Sequence, residues 1–230
     1  MPDSITIAGS VVPVTVRAHP RARRLIMRLD ARKRSLRLTV PPGVAARDVS
    51  AFLQARTDWI ESRLASLPPL SDTGLPAALP LRGACVSLHA TGRLRGPIML
   101  EGSTLAISGE TAEAARRRLI AFLKREACGD LEEAVARHCA ALGVRASAIR
   151  IKDTGSRWGS CSSGRVLSFS WRIVLAPPEI LSYLAAHEVA HLVHMDHSPA
   201  FWKTVARLDA SWRMHDRWLK DNGQKLMGAL

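Results

Sequence analysis

The sequence predicts an α+β fold, with a small β-rich N-terminal domain containing one helix over residues 1–110 and a mainly helical domain over residues 111–230. Three observations support this prediction. Apolar and polar residues alternate between residues 12 and 40, which is the period of a β-strand. Apolar residues then recur at helical spacing over a long segment that ends near residue 142. A second helical pattern follows Pro177 and Pro178.

In the N-terminal domain, three runs of alternating apolar residues predict strands: Val12, Val14 and Val16; Leu25, Met27 and Leu29; and Leu36, Leu38 and Val40. The polar segment 30–34 predicts a hairpin turn between the last two strands. Helical spacing predicts one helix from about 45 to 67, which Pro68 and Pro69 end. Short strands near 84–90 and 97–108 complete the domain. The sequence shows no internal repeat.

The second domain is predicted to contain a long helix over about 111–142 and two strands near 148–153 and 166–175. A further helix starts at Pro177 and Pro178, because proline is tolerated in the first turn of a helix. The acidic Glu179 favours the same start through its interaction with the helix dipole.

His187, Glu188 and His191 form the most informative motif, and we expect it in the middle of this helix. Residues four apart lie on one helix face, so the two histidines can reach one metal ion. Glu188 lies about 100° further round, where its carboxylate can address a water molecule. The motif therefore predicts two zinc ligands and a general base. The alternative is a core helix with two hydrogen-bonded histidines, which we disfavour because an adjacent glutamate is costly to bury.

A catalytic zinc ion usually takes three protein ligands and leaves a fourth position for water. No glutamate follows Glu188, so a glutamate ligand would have to come from upstream. The downstream candidates are three histidines and four aspartates: His194, His197, His215, Asp196, Asp209, Asp216 and Asp221. His194 is too far along the helix, since seven residues span roughly 10.5 Å. His197 is favoured, because a new helix is predicted directly after it and a chain reversal would return it to the metal. His215 is the second candidate.

Several further motifs occur in order: RWGSC at 157–161, WRI at 171–173, PP at 177–178, HEVAHL at 187–192 and HSPAFW at 197–202. With them the chain resembles the YgjP-like, SprT-related zinc metallopeptidase family. The resemblance implies a zincin-like second domain, with a short β-sheet beside the active-site helix. It also implies His187, His191 and His197 as zinc ligands and Glu188 as the catalytic acid and base.

Two other residues are candidates for contacts with the substrate or the transition state. Arg157 lies in a turn-rich loop between two predicted strands, where it can bind a carboxylate, a phosphate or an oxyanion, or else cap loop carbonyls. Tyr183 lies one turn before His187 on the same face. Its hydroxyl can donate to an oxyanion, although we favour a buried structural hydroxyl.

The function predicted from these residues is hydrolysis of peptide bonds by a zinc-activated water, with Glu188 as general base and a protein or peptide as the substrate. One alternative is hydrolysis of a nucleotide phosphoanhydride, as in a nucleoside triphosphate pyrophosphatase, which the absence of a phosphate-binding glycine loop disfavours. Another is a nucleic-acid-associated protein with a zinc site.

The chain is basic, with 33 Lys and Arg against 20 Asp and Glu, and residues 17–37 alone hold nine of the basic residues. This hairpin is either a solvated face or the binding surface for nucleic acid. It contains no aromatic residue, so any such binding should be electrostatic and not by base stacking. We expect a cytoplasmic protein with no membrane partner, since no run of 18 apolar residues and no signal pattern occur.

Overall fold

The computed structural model describes residues 2–30, 34–65, 75–155 and 157–230, and its architecture is α+β as predicted. The chain divides into two compact units: residues 1–68 with 227–230, and residues 69–226. The predicted boundary near residue 110 therefore lies inside the second unit. The reason is that the strands before residue 110 bond to later segments, as where the Arg82 amide donates to the Val174 carbonyl at 2.8 Å.

The described residues of the first unit form four strands and two helices: β1 (Ser4–Ile7), β2 (Ser10–Ala18), β3 (Ile26–Asp30), β4 (Ser35–Val40), α1 (Ala46–Gln54) and α2 (Thr57–Ala65). The sheet order is β1-β2-β4-β3, with β2 parallel to β4 and the other pairs antiparallel. The predicted hairpin is confirmed as β3–β4, which pairs Asp30 with Ser35. Of its predicted turn, residues 31–33 lie outside the described part of the chain.

The core of the first unit follows from the alternation seen in the sequence. The buried apolar residues of the sheet pack with those of the two helices: Ile7, Val12, Val14, Leu36, Leu38, Val40, Val49, Leu53 and Ile60. The prediction of one helix over 45–67 is wrong, because the chain breaks between α1 and α2. There the Arg56 amide bonds to the Leu53 carbonyl, and the Thr57 hydroxyl donates to the Gln54 carbonyl at 2.8 Å. Such local bonds compete with continuation of a helix.

The second unit begins with another four-stranded sheet: β5 (Ala78–Leu81), β6 (Ala84–Ala90), β7 (Met99–Glu101) and β8 (Thr104–Ile107). The segment predicted as one strand over 97–108 is two strands, joined by a tight turn in which Gly102 has a φ of +59°. The sheet order is β5-β6-β8-β7, with β6 parallel to β8. This repeats the order and pairing of the first sheet, a repetition that the sequence does not reveal.

The long helix α3 (Ala112–Leu142) has the predicted bounds. Thr111 caps it, since its hydroxyl accepts from the Ala114 amide at 3.1 Å, and Gly143 ends it with a φ of +65°. Of all the helices described, none is both long and apolar enough to span a bilayer.

The rest of the unit is a three-stranded sheet and three helices: β9 (Ala148–Lys152), β10 (Gly159–Cys161), β11 (Val166–Ser170), α4 (Pro178–Ala190), α5 (Pro199–Leu208) and α6 (Trp212–Met227). The sheet order is β10-β11-β9. The predicted strand over 166–175 is too long, because Trp171–Leu175 forms a 3-10 helix whose five residues are all buried. Short 3-10 segments are common connectors, and this one joins the sheet to α4.

Candidate metal centre

Three histidines converge where α4 ends and α5 begins. His187 lies in the last turn of α4, His191 is the residue that ends this helix, and His197 directly precedes Ser198, the N-cap of α5. The motif therefore lies at the end of the helix, whereas the sequence predicted that it lies in the middle. This early end allows the chain reversal that returns His197 to the other two histidines. One nitrogen from each ring lies within 4.8 Å of the others.

The spacing of the ring nitrogens suits a zinc ion. The Nε2 atoms of His187 and His197 are 3.3 Å apart. Two nitrogens bound to one tetrahedral zinc, with bonds of about 2.0–2.1 Å, would be roughly 3.3–3.4 Å apart. No residue of the described chain other than His191 joins these two in a group with metal-ligand spacing. The structure therefore brings together the three histidines that the sequence predicts as ligands, and their binding of a metal stays a prediction.

Hydrogen bonding and burial put His187 and His191 in the state that metal binding requires. The Nδ1 of His191 lies 2.9 Å from the carbonyl oxygen of His194, which places a proton on Nδ1 and a lone pair on Nε2. Burial, with the neighbouring His191 and His197 rings, lowers the pKa of His187 to about 4. Burial also lowers the pKa of His191. Both rings are therefore neutral near pH 7, and neutral imidazole is the ligand form.

Aromatic residues of α5 hold the histidine rings in place. Phe201 stacks on His191 with ring centroids 4.4 Å apart and meets His187 edge-on at 5.0 Å. Trp202 lies 5.7 Å from His187 and stacks on Trp212 of α6 at 4.4 Å. The first turn of α5, which follows His197 closely, therefore supplies the side chains against which the histidine rings pack.

Glu188 is buried beside this cluster, with only 4% of its surface exposed. Burial raises the pKa of its carboxyl group to about 8, and its Oε2 has no hydrogen-bond partner in the described structure. The carboxyl group contacts the backbone of β10, since a Cβ on Gly159 would lie 2.3 Å from Oε1 and 2.7 Å from Cδ. Sequence reasoning did not single out Gly159. A glycine in a strand, which often marks a close approach, was the available signal.

The other candidate residues differ in their surroundings, and the ring of Tyr183 meets that of His187 edge-on with centroids 6.1 Å apart. The hydroxyl of Tyr183 is buried and donates to Asp216 on α6 at 3.1 Å, and burial raises its pKa. His215 is also buried and pairs with Asp209 at 2.6 Å, outside the histidine cluster. Arg157 is exposed in the loop between β9 and β10, where its carbonyl accepts from the Thr154 hydroxyl at 2.6 Å.

A helix with two histidines four residues apart, a glutamate between them and a third histidine nearby is the arrangement of a metal-dependent hydrolase. The chain belongs to the YgjP-like family, since the model of the YgjP-like metallopeptidase domain matches residues 23–222. This membership confirms the resemblance seen in the motifs, and it implies a metal ion and a peptidase class of enzyme.

A solved structure, the metallopeptidase zymogen of Pyrococcus abyssi abylysin, is similar to part of the chain. The two share 20% sequence identity and a TM-score of 0.36, over 40% of this chain and 93% of the abylysin chain. No curated protein sequence matches the chain significantly.

The raised pKa of Glu188 gives a prediction for the metal-free protein. Because the folded state holds this proton up to a pH of about 8 while an unfolded glutamate releases it near 4.5, the carboxyl group lowers stability as pH rises through that window. The lowered pKa of His187 acts in the opposite direction, but only below its ordinary value of 6.5. Between pH 6.5 and 8, Glu188→Gln should therefore raise the melting temperature increasingly with pH.

Thermal melting of metal-free protein at pH 6.5 and pH 8 measures this difference. Glu179→Gln, which changes an exposed carboxylate of the same helix, is the control and should show no change in its effect between the two pH values. A gain for Glu188→Gln that is equal at both pH values would contradict the prediction.

Proposed function

We propose that this protein is a zinc-dependent peptidase in which His187, His191 and His197 hold the metal and Glu188 is the general base. The observation that carries the proposal is the convergence of three imidazole nitrogens within 4.8 Å, beside a buried carboxyl group. Three nitrogen donors suit zinc and leave one tetrahedral position for water or substrate. Membership in a metallopeptidase family supports the same reaction class.

The chain's residues have distinct roles in the proposed reaction. When bound, zinc lowers the pKa of a water molecule toward about 7 and polarises the carbonyl of a peptide bond. Glu188 accepts a proton from the attacking water and returns it to the leaving amine nitrogen. A nearby cation favours the ionised form of a carboxyl group, so the high pKa in the metal-free chain would fall toward the value a base requires.

We assign a structural role to Tyr183 and a role in substrate binding to Arg157. The Tyr183 hydroxyl is buried and already bonded to Asp216, which supports a structural role over donation to an oxyanion. Arg157 is exposed in the loop that leads into β10, and this exposure supports a contact of its guanidinium group with a substrate. We assign it as the candidate contact for a substrate carboxylate.

Metal content tests the ligand assignment. Purified protein should carry about one zinc per chain, and His187→Ala, His191→Ala and His197→Ala should each lose most of it, because each removes a donor. His194→Ala and His215→Ala are matched controls that should keep it, since neither imidazole belongs to the cluster. Elemental analysis after dialysis against dilute zinc measures occupancy. Full zinc in His197→Ala with an empty site in His215→Ala would overturn the third ligand.

Hydrolysis tests the role of Glu188. Glu188→Gln keeps the size of the side chain but cannot accept a proton, so casein cleavage should fall by about 10²–10⁴-fold while zinc content stays at the wild-type level. Glu179→Gln should cleave casein at the wild-type rate. Nucleoside triphosphates are assayed in parallel. Their hydrolysis by the wild type, without cleavage of casein, would reject the peptide bond as the substrate and favour the phosphoanhydride.

We also propose that the first unit binds the phosphate backbone of nucleic acid, because its sheet presents arginines in register. Arg28 on β3 lies directly opposite Arg37 on β4, and both are exposed. Arg17 of β2 is paired with Thr39 and lies on the same face of the sheet, opposite to the buried leucines of β4. Opposed like charges are unfavourable on a sheet. Asp30 offsets part of this cost by pairing with Arg37 at 2.7 Å.

More exposed arginines lie in the segment that connects two of these strands. Arg21, Arg23 and Arg24 are exposed in the connection between β2 and β3. The planar guanidinium group binds phosphate oxygens through two hydrogen bonds, which an isolated ammonium cannot match. With no aromatic residue in segment 17–37, contacts of this surface would be with the backbone and independent of base sequence.

A salt titration tests the arginine surface. Binding to duplex DNA should weaken log-linearly with salt, and Arg17→Gln with Arg28→Gln should reduce the slope by about 0.9 for each phosphate that the protein then leaves unneutralised. Arg117→Gln with Arg137→Gln removes the same charge from exposed positions on α3 and should leave the slope almost unchanged. An equal reduction in this control would assign binding to overall charge. No binding at ~50 mM salt, where such contacts are strong, would reject the surface.

A further inference from the structure

We propose that the C-terminal helix α6 positions the carboxyl group of Glu188, acting through the adjacent residues Trp158 and Gly159. The inference rests on the proposed role of Glu188 and adds positioning residues that lie outside the metal-binding motif. It is built from two close contacts at glycines: Gly223 of α6 lies against Trp158, and the neighbouring Gly159 lies against Glu188 of α4.

The first approach is between Gly159 and Glu188. A Cβ at residue 159 would lie 2.3 Å from Oε1, 2.7 Å from Cδ and 2.8 Å from Cγ of the glutamate, so the bare backbone of β10 is the wall of the carboxyl group. The Oε2 atom is buried and no described residue forms a hydrogen bond with it. Steric contact with β10 therefore sets where the carboxyl group lies, and any shift of β10 shifts that wall.

The second approach is between Gly223 and Trp158. Gly223 is buried within α6, and a Cβ there would lie 2.9 Å from Nε1, 3.3 Å from Cζ2 and 3.4 Å from Cε2 of the indole ring. Glycine is unfavourable inside a helix, so its place in α6 is explained by the space that the ring occupies. Alanine at this position would push the indole ring away from the helix.

The backbone joins the two approaches. Trp158 and Gly159 are neighbours, and the Trp158 carbonyl accepts from the Ser170 amide at 2.8 Å. Gly159 is then paired with Phe169 in the antiparallel contact of β10 with β11. Because β10 is a three-residue edge strand, few bonds resist its displacement. A push on the indole ring is therefore transmitted to the Gly159 backbone, and from there to the carboxyl group.

A second contact fixes α6 relative to the histidine helix. Asp216 of α6 accepts a hydrogen bond from Tyr183, which lies one turn before His187 on α4, and Lys220 pairs with the same carboxylate at 2.6 Å. The helix is thus held against α4 at Asp216 and against Trp158 at Gly223. It therefore keeps β10 and Glu188 at a fixed separation. If Trp158 only filled space, substitutions at Gly223 would change stability and leave catalysis alone.

The test compares two helical glycines. Gly223→Ala should lower kcat for casein on the order of 100-fold, the loss expected when a reacting group is misplaced by about 1 Å, while KM and zinc content stay unchanged. Gly129→Ala is the matched control, since a Cβ there meets no atom within 4 Å in α3, and it should keep the wild-type kcat. Wild-type kcat in Gly223→Ala would overturn the proposal.

A second substitution tests the path itself. In the Gly223→Ala background, Trp158→Phe removes the Nε1 and Cζ2 atoms that the new methyl group would strike, so it should restore a large part of kcat. Rescue of this kind is not expected from a general loss of stability. If Trp158→Phe lowers kcat further in that background, the indole ring does not transmit the displacement and the proposal is rejected.

A third measurement needs neither metal nor turnover. In metal-free protein labelled with 13C-glutamate, the Cδ signal that disappears in Glu188→Gln reports on this carboxyl group. The signal should shift in Gly223→Ala and in Gly159→Ala, but not in Gly129→Ala. If the wild type cleaves no substrate, the proposed function fails while this signal still decides the positioning. An unchanged signal in Gly223→Ala overturns the inference, whatever the activity and whatever the result for Gly159→Ala.

Discussion

The chain reversal between His191 and His197 is the constraint on which the candidate metal centre depends. One helix can supply two imidazoles from one face, but a third donor must come from chain that has turned back. The reversal starts where α4 ends, with the His194 amide bonded to the Ala190 carbonyl, and it stops where Ser198 caps α5. The His194 carbonyl then accepts from His191, so the turn that returns the third ring also orients the second. A single backbone turn therefore sets both the position of the His197 ring and the orientation of the His191 ring.

Burial leaves His187 and Glu188 uncharged in the metal-free protein. The lowered pKa of His187 and the raised pKa of Glu188 mean that imidazole and carboxylic acid are the forms present near pH 7. A cation entering this environment finds neutral donors, so no bound proton must first leave His187. It also favours loss of the proton from Glu188. Metal occupancy and the ionisation of the carboxyl group are therefore linked, because both respond to the same low-dielectric surroundings.

The features that the sequence predicts best are those with local causes. The bounds of α3 follow from Thr111 and Gly143, and the start of α5 follows from the capping residue Ser198. The convergence of the three histidines follows from their spacing and from the new helix predicted after His197. The contact of Gly159 with Glu188 joins positions 29 residues apart in the sequence and left only a glycine as its trace. The 3-10 helix Trp171–Leu175 was also not predicted, because its mainly apolar sequence suits a strand and a buried 3-10 helix equally.

The two four-stranded sheets share one topology but differ at the turn of their first hairpin. In each sheet the first hairpin turns through two residues of positive φ, Ala8 and Gly9 in one and Arg82 and Gly83 in the other, as a type I′ turn requires. Arginine is strained in this conformation, but its side chain pairs with Asp130 at 2.8 Å and with Glu126 at 3.1 Å, on α3. Alanine at the equivalent turn has no side chain to make such a bond. The two sheets thus share one topology, but in the second the turn arginine also ties the sheet to the long helix of its own unit.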